Sequence, residues 1–334
     1  MKALRRRRPV LRTGGKSAFF LLLLLLASGI LYEAIGRSLD RKSFPPVGKM
    51  VEVNGRSMHV YAAGRGDTTV VFAAGWKIPS PYVDFYPVWQ DVAKHARVVV
   101  YDRPGYGWSQ ETDAPRNIDG IAGEIDSLLQ QAGEKPPYVL VGHSIGSLEM
   151  LRFAQLHAKD VKGIVLIDGS NPEMYENMPE PSLLQSMRFF LFNLSLSAAN
   201  KVGLSRLLFH TVPDFYDATP LGVARNKLEP APAQLKSIDT ALFLTTFNNK
   251  NQVAEGDNKR SNCAVVAAGG YLGDMPLTVL TSQELNSYSE SKRNQENLKK
   301  WSTASEQIVV PKTGHAIHWD APDVVAQQII KMIR

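Results

Sequence analysis

Cysteine is almost missing from this 334-residue chain: Cys263 is the only one. No internal disulfide can form, so stability has to come from packing, and a lone thiol without a Cys partner reads as a small apolar side chain. Acid is missing from the first sixteen residues, which carry Lys2, Arg5, Arg6, Arg7, Arg8, Arg12 and Lys16. The net charge of +6 therefore belongs to that tail. The remainder is nearly neutral, which argues against nucleic acid as a partner. Charge of either sign is missing from Ala18 to Tyr32, AFFLLLLLLASGILY. Internal repeats are missing as well, which excludes a solenoid or propeller.

The uncharged run comes directly after the basic tail. Continued as a helix over residues 17–36, it spans about 30 Å, the thickness of one hydrocarbon core. Two readings fit. An uncleaved signal-anchor would keep residues 1–16 in the cytoplasm, held there by their positive charge. A signal peptide would be cut at Ala27-x-Gly29 or Ala34-x-Gly36 and the protein secreted. Neither site is a clean A-x-A, so the anchor is preferred. Both readings put the rest of the chain outside the cytoplasmic membrane. Residues 37–49, containing FPPVGK, read as a linker.

Hydrophobic residues make up 44% of the chain, enough for a sizeable core. Residues 50–334 read as one α/β domain. MVEVNGRSMHVYAAG is a hairpin turning at Asn54-Gly55. TTVVFAAG, RVVVYD, YVLVGH, VKGIVLIDGS, MPLTVLTS and EQIVVP are apolar strands. PVWQDVAKHA, GIAGEIDSLLQQAG and APDVVAQQIIKMI have helical spacing. That alternation predicts a mostly parallel, doubly wound sheet with a leading antiparallel hairpin. Residues 171–274 break the rhythm, being too long for one connection and lacking a sheet-like strand. They are expected to form an inserted helical cap over the C-terminal edge of the sheet, where α/β sites lie.

YVLVGHSIGSLEMLRFA, Tyr138 to Ala154, carries the chemical signal. A buried strand stops at Ser144 between Gly142 and Gly146, and helical spacing begins at once. A serine on so tight a turn needs glycines where β-carbons would collide. To act as a nucleophile it needs a base, a group that orients the base, and N–H donors for the oxyanion. His315, in a Gly-containing loop after the last strand, is the expected base, and His318 is the runner-up. Asp168 ends GIVLID and Glu284 follows PLTVLTS, so either carboxylate could orient the imidazole. Asp168 is preferred because its shorter side chain has less freedom to lose. The oxyanion donors are expected to be the backbone N–H groups of Ile145, at the start of the elbow helix, and Trp76, after FAAG. Asp102 and Arg103 of DRPGYGWS are expected to brace the turn beneath.

From about Val51 onward the chain resembles the α/β-hydrolase superfamily. DRPGYGWS, LVGHSIGS, GIVLIDGS and TGHAIH occur in that family's order and approximate spacing. The resemblance implies Ser144 as nucleophile and His315 as base. Most members take their acid from the slot after PLTVLTS, but here that slot is Leu285. Members that use the preceding strand imply Asp168. Ala74 stands where many members have the His of a His-Gly pair. Serine at the elbow separates the chain from dehalogenase and epoxide-hydrolase relatives, which place Asp there.

These readings together predict a membrane-anchored carboxylesterase that forms an acyl-enzyme. Its substrate would be a small, partly apolar ester, and the chemistry would need no metal or organic cofactor. An amidase or acyltransferase on the same triad, and a non-catalytic ligand-binding homologue, are the alternatives.

Overall fold

The structure is a computed structural model and describes residues 11–176, 178–212, 214–226 and 232–334. Most of the basic tail expected over 1–16 lies outside the described residues. The first helix, α1 (Leu11–Ser43), is a single unbroken rod. It takes in the span expected over 17–36 and also half of the expected linker over 37–49. The physical reason is that Ser38 to Lys42 contain no helix breaker, and the first stop is Pro45-Pro46. Among the described residues α1 is the one helix long and apolar enough to cross a bilayer.

The strands are β1 (Lys49–Val53), β2 (Arg56–Ala63), β3 (Thr69–Ala73), β4 (Arg97–Tyr101), β5 (Tyr138–His143), β6 (Val161–Ile167), β7 (Leu277–Ser282) and β8 (Ser305–Val310). They form one sheet in the order β1-β2-β4-β3-β5-β6-β7-β8. β2 runs antiparallel to both its neighbours, and every other pairing is parallel. The hairpin turns where Asn54 and Gly55 both take positive φ, at 51° and 75°, the twist that a two-residue turn between strands requires.

Side-chain alternation divides the core into two layers. On β3, Val71 and Ala73 face one apolar cluster and Val70 and Phe72 face the other. The first layer is covered by α3 (Ile118–Ala132) and α4 (Gly146–Leu156). The second is covered by α2 (Tyr86–Val92) and the closing helix Pro322–Ile333. Each fully buried aliphatic or Phe side chain contributes about 1.5–3 kcal/mol, so both layers must stay closed. The parallel strands end together, at Ala73, His143, Ile167, Ser282 and Val310. The crevice beyond such ends is where ligands bind in doubly wound sheets.

Residues 171–274 hold helices and no strand among the described residues. The helices are α5 (Leu183–Lys201), α6 (Leu204–Thr211), α7 (Pro220–Arg225), α8 (Ala233–Thr246), α9 (Lys250–Asp257) and α10 (Lys259–Ala268). Cys263 on α10 is fully buried, and burial pushes its thiol up to about 12, so it is inert.

Candidate active site

Ser144 follows the last residue of β5 and takes φ 53°, in the left-handed region that L-residues avoid. The two flanking glycines make this possible. A β-carbon on Gly142 would come within 2.6 Å of the Ser147 Cα, and one on Gly146 within 2.4 Å of the Ala73 carbonyl oxygen. The turn is tied down by the Ser144 N–H donating to the Ile167 carbonyl at 3.1 Å and by Ser147 Oγ donating to the Ser144 carbonyl at 2.6 Å. Strain held by surrounding structure in this way marks functional sites.

Asp168 stands one strand away and is also left-handed, at φ 44°. Its carboxylate is buried. Oδ1 accepts from the Ser282 N–H at 2.7 Å, and Oδ2 lies 3.2 Å from His315 Nδ1. The His315 ring is 47% exposed while the Asp168 side chain is fully enclosed, so the imidazole has a wet edge and a fixed edge. Glu284 is close by but does something else. Its Oε2 accepts the backbone N–H of His315 at 3.2 Å, holding the loop and not the ring. His318 is fully buried, with Nε2 3.2 Å from Asp84 Oδ2, and is not paired with Asp168.

Two backbone segments lie beside Ser144 at the same edge. Ile145 precedes the first residue of α4, where N–H groups lack intrahelical partners. Gly75 packs against Ser144 and His143, its β-carbon position 3.4 Å from Ser144 Cβ, and Trp76 follows it. This loop is fixed from below by Arg103, whose guanidinium donates to the carbonyls of Ala74 at 3.1 Å and Gly75 at 3.0 Å and also pairs with Glu149. Asp102 accepts from the Trp108 N–H and pairs with His59 Nδ1, both at 2.9 Å. The bracing expected of Asp102 and Arg103 is therefore present. From above, Trp76 Nε1 donates to the Gln252 carbonyl of α9 at 2.7 Å, and Lys77 Nζ donates to Asn248 Oδ1 at 2.7 Å.

Sequence reasoning missed the layer behind His315. Asp84, His143 and His318 are all buried, with ligand-type atoms within 4.8 Å of one another. Such a set resembles a metal-ligand group, and the Arg225 guanidinium already places one cation on this carboxylate, at Asp84 Oδ1 2.8 Å away, while Oδ2 faces the histidines. Burial pushes the Asp84 carboxyl up, but His318 and Arg225 outweigh it and hold the group below the ordinary range. The His143 Nε2–H donates to the His315 carbonyl at 3.1 Å, and its ring packs against both His315 and His318. The one available signal was the His directly before the nucleophile in GHS.

That arrangement makes a stability prediction. Burial first, then the neighbouring His318 and His315, hold the His143 imidazole well below its usual 6.5. Below that pH the unfolded chain takes up a proton that the folded chain refuses. The contribution is complete above about 6.5 and is lost on acidification, by up to about 1.4 kcal/mol per pH unit. Melts of the detergent-solubilised chain between pH 7.5 and 5 should show His143→Gln with a shallower acid slope than the parent. Equal slopes would mean that His143 is not held neutral.

A family model described as alpha/beta hydrolase fold matches residues 72–322. The uncharacterized protein YbdG of Bacillus subtilis is 35% identical over 128 residues, which are 38% of this chain and 39% of that relative's length. The chain thus spans well under two thirds of that protein. A pimeloyl-[acyl-carrier protein] methyl ester esterase of Xanthomonas axonopodis is 28% identical over 193 residues, 56% of this chain and 72% of that one. Among solved structures, the epoxide hydrolase VrEH1 of Vigna radiata superposes with a TM-score of 0.62 at 19% identity, covering 85% of this chain and 97% of its own. At that identity the likeness speaks for the fold alone.

Proposed function

The chain belongs to the alpha/beta-hydrolase family, and we propose that within it this protein is a membrane-anchored serine carboxylesterase. The observation that carries the reading is the Asp168–His315 hydrogen bond, on the same sheet edge as the strained Ser144. Ser144 Oγ attacks the ester carbonyl carbon while its proton passes to His315 Nε2. Asp168 holds Nδ1–H and stabilises the imidazolium. The tetrahedral oxyanion is met by the N–H groups of Ile145 and Trp76, in a loop that Arg103 keeps from moving. The C–O bond then breaks, and His315 returns the proton to the leaving alkoxide. Water attacks the acyl-enzyme with His315 again as base, which frees the acid and restores Ser144.

An ester is favoured because a pimeloyl-[acyl-carrier protein] methyl ester esterase is among the relatives. A fluorophosphonate probe tests the proposal, since only an activated serine reacts quickly with it. The adduct should map to the peptide holding Ser144. An unlabelled, folded chain would favour a ligand-binding homologue.

The anchored reading rests on α1 and on the positive residues before it. It places Ser144 on the far side of the membrane from the N-terminus. Protease added to intact spheroplasts should then digest the catalytic domain. Protection until the membrane is lysed would reverse this topology, and a mature N-terminus at Ile30 or Arg37 would mean a cleaved signal.

A further inference from the structure

We propose that the α5–α6 face of the cap docks into the bilayer beside α1, so that the large pocket between α1 and α5 opens onto lipid and takes an acyl chain. The inference rests on the anchored reading of α1.

The first observation is that α5 is inside out for a helix in water. Its buried residues are Asn193 and Asn200. Asn193 Oδ1 accepts from Lys77 Nζ at 3.5 Å, and Asn200 Nδ2 donates to the Phe247 carbonyl at 2.6 Å. The N-terminal half of α5 is exposed all round and apolar, with Leu183, Leu184, Met187, Phe190, Leu191 and Phe192 all exposed, Phe190 at 63%. A globular surface helix shows the reverse pattern, apolar residues inward and polar residues outward. The next helix repeats the inversion, with Arg206 buried while Leu204 and Leu207 face out. Contiguous exposed apolar surface of this kind marks a site of interaction with a membrane or a protein.

The second observation selects lipid as the occupant. The inverted face is locked to the one helix among the described residues with the length and composition of a span. Gly29 of α1 lies so close to the cap that a β-carbon there would meet the Val202 carbonyl oxygen at 2.3 Å. Such backbone approach through small residues is how helices pack in membranes. The acids that would be costly at the outer end of α1 are matched from the cap. Arg206 reaches Glu33 at 2.9 Å and Asp40 at 2.7 Å, and Arg37 adds a second cation on Glu33 at 2.7 Å. A buried Arg with no such partner would cost several kcal/mol, so these ion pairs keep the cap registered against α1. The exposed residues of α1 from Phe19 to Leu26 and the outward leucines and phenylalanines of the cap therefore belong to elements packed on one another.

The pocket follows from this placement. It measures about 1400 Å³ and is walled by Ile30 and Ala34 of α1 and by Phe189, Phe190 and Leu194 of α5. Phe190 is both a wall of the pocket and part of the outward face, so the pocket reaches the side we assign to lipid, while charged residues such as Glu180, Lys259 and Arg260 line it elsewhere. On the inner side Gly256 and Asn248 line it. Gly256 packs on the Trp76 ring and Asn248 holds Lys77, two residues from Gly75 and its contact with Ser144. The substrate class that fits is an ester carried by a membrane lipid.

The test uses the full chain reconstituted in phosphatidylcholine–phosphatidylglycerol vesicles. Cys263 is buried, so an environment-sensitive thiol fluorophore goes to a single introduced cysteine: Leu23→Cys, Phe190→Cys, Leu207→Cys or, on an exposed polar helix, Lys292→Cys. Circular dichroism melts confirm folding of each. Acyl-brominated lipid should blue-shift and quench the label at 23, 190 and 207, and leave 292 unchanged. Quenching at 23 without quenching at 190 and 207 would overturn the docked cap and leave the anchor standing. Quenching at 190 and 207 without 23 would overturn the anchored reading and with it the proposal as stated, since the cap would meet lipid without α1 beside it. Efficient bismaleimide cross-linking between two copies at 190, without quenching, would overturn the proposal in favour of a self-associating face.

Discussion

Ser144→Ala should abolish ester hydrolysis, with a fall in kcat of at least about 10⁴-fold, and should abolish fluorophosphonate labelling while leaving the melting temperature close to the parent's. The expectation of an intact fold is specific to this turn. Ser144 Oγ is not what holds the elbow; the backbone N–H of Ser144 and the hydroxyl of Ser147 do that. Alanine at φ 53° is about as strained as serine, so the substitution removes the reacting oxygen and little else. Activity and melts measured on the same detergent-solubilised preparation check both halves. An alanine variant that kept a tenth of the activity would place the nucleophile elsewhere. A variant that lost activity only because it melted early would leave the chemistry to be settled by the covalent adduct.

The elbow was legible in the sequence because it is a local feature. A β-branched run, two glycines and an immediate helical period lie within one short stretch, and each constrains the same turn. The hairpin at Asn54-Gly55 was legible for the same reason, since both residues are suited to positive φ. The strandless character of 171–274 was also readable, from composition alone. What could not be read depended on residues far apart in the chain. Asp84, His143 and His318 meet only once β5, the short helix Pro81–Asp84 after β3 and the last loop are in place, and nothing in the surroundings of Asp84 announces a partner. α1 runs past the span expected over 17–36 because that span was set by the thickness of a hydrocarbon core and not by a helix stop. Charge does not end a helix; prolines do, and Glu33 and Asp40 are matched by an arginine from the cap.

The choice between the two carboxylates shows where pattern reading stops and geometry takes over. Asp168 and Glu284 both follow apolar strands, and sequence could rank them only by side-chain freedom and by the family slot. In the structure both touch the His315 loop, through different atoms. Asp168 Oδ2 meets the ring nitrogen, and its other oxygen is anchored by the Ser282 N–H, so the carboxylate cannot swing away. Glu284 Oε2 meets the backbone N–H of His315, a bond that an amide oxygen can also accept. Asp168→Asn keeps the shape but removes the charge that stabilises the imidazolium, and its NH₂ favours the wrong tautomer. We expect a loss on the order of 10³–10⁴ in kcat. Glu284→Gln replaces one acceptor by another and should cost less than about tenfold. Both variants are to be measured on one activated ester, with melts to exclude unfolding. A large loss for Glu284→Gln beside a small one for Asp168→Asn would move the orienting role to Glu284. Comparable large losses would mean that the placement of the His315 backbone matters as much as the charge on its ring.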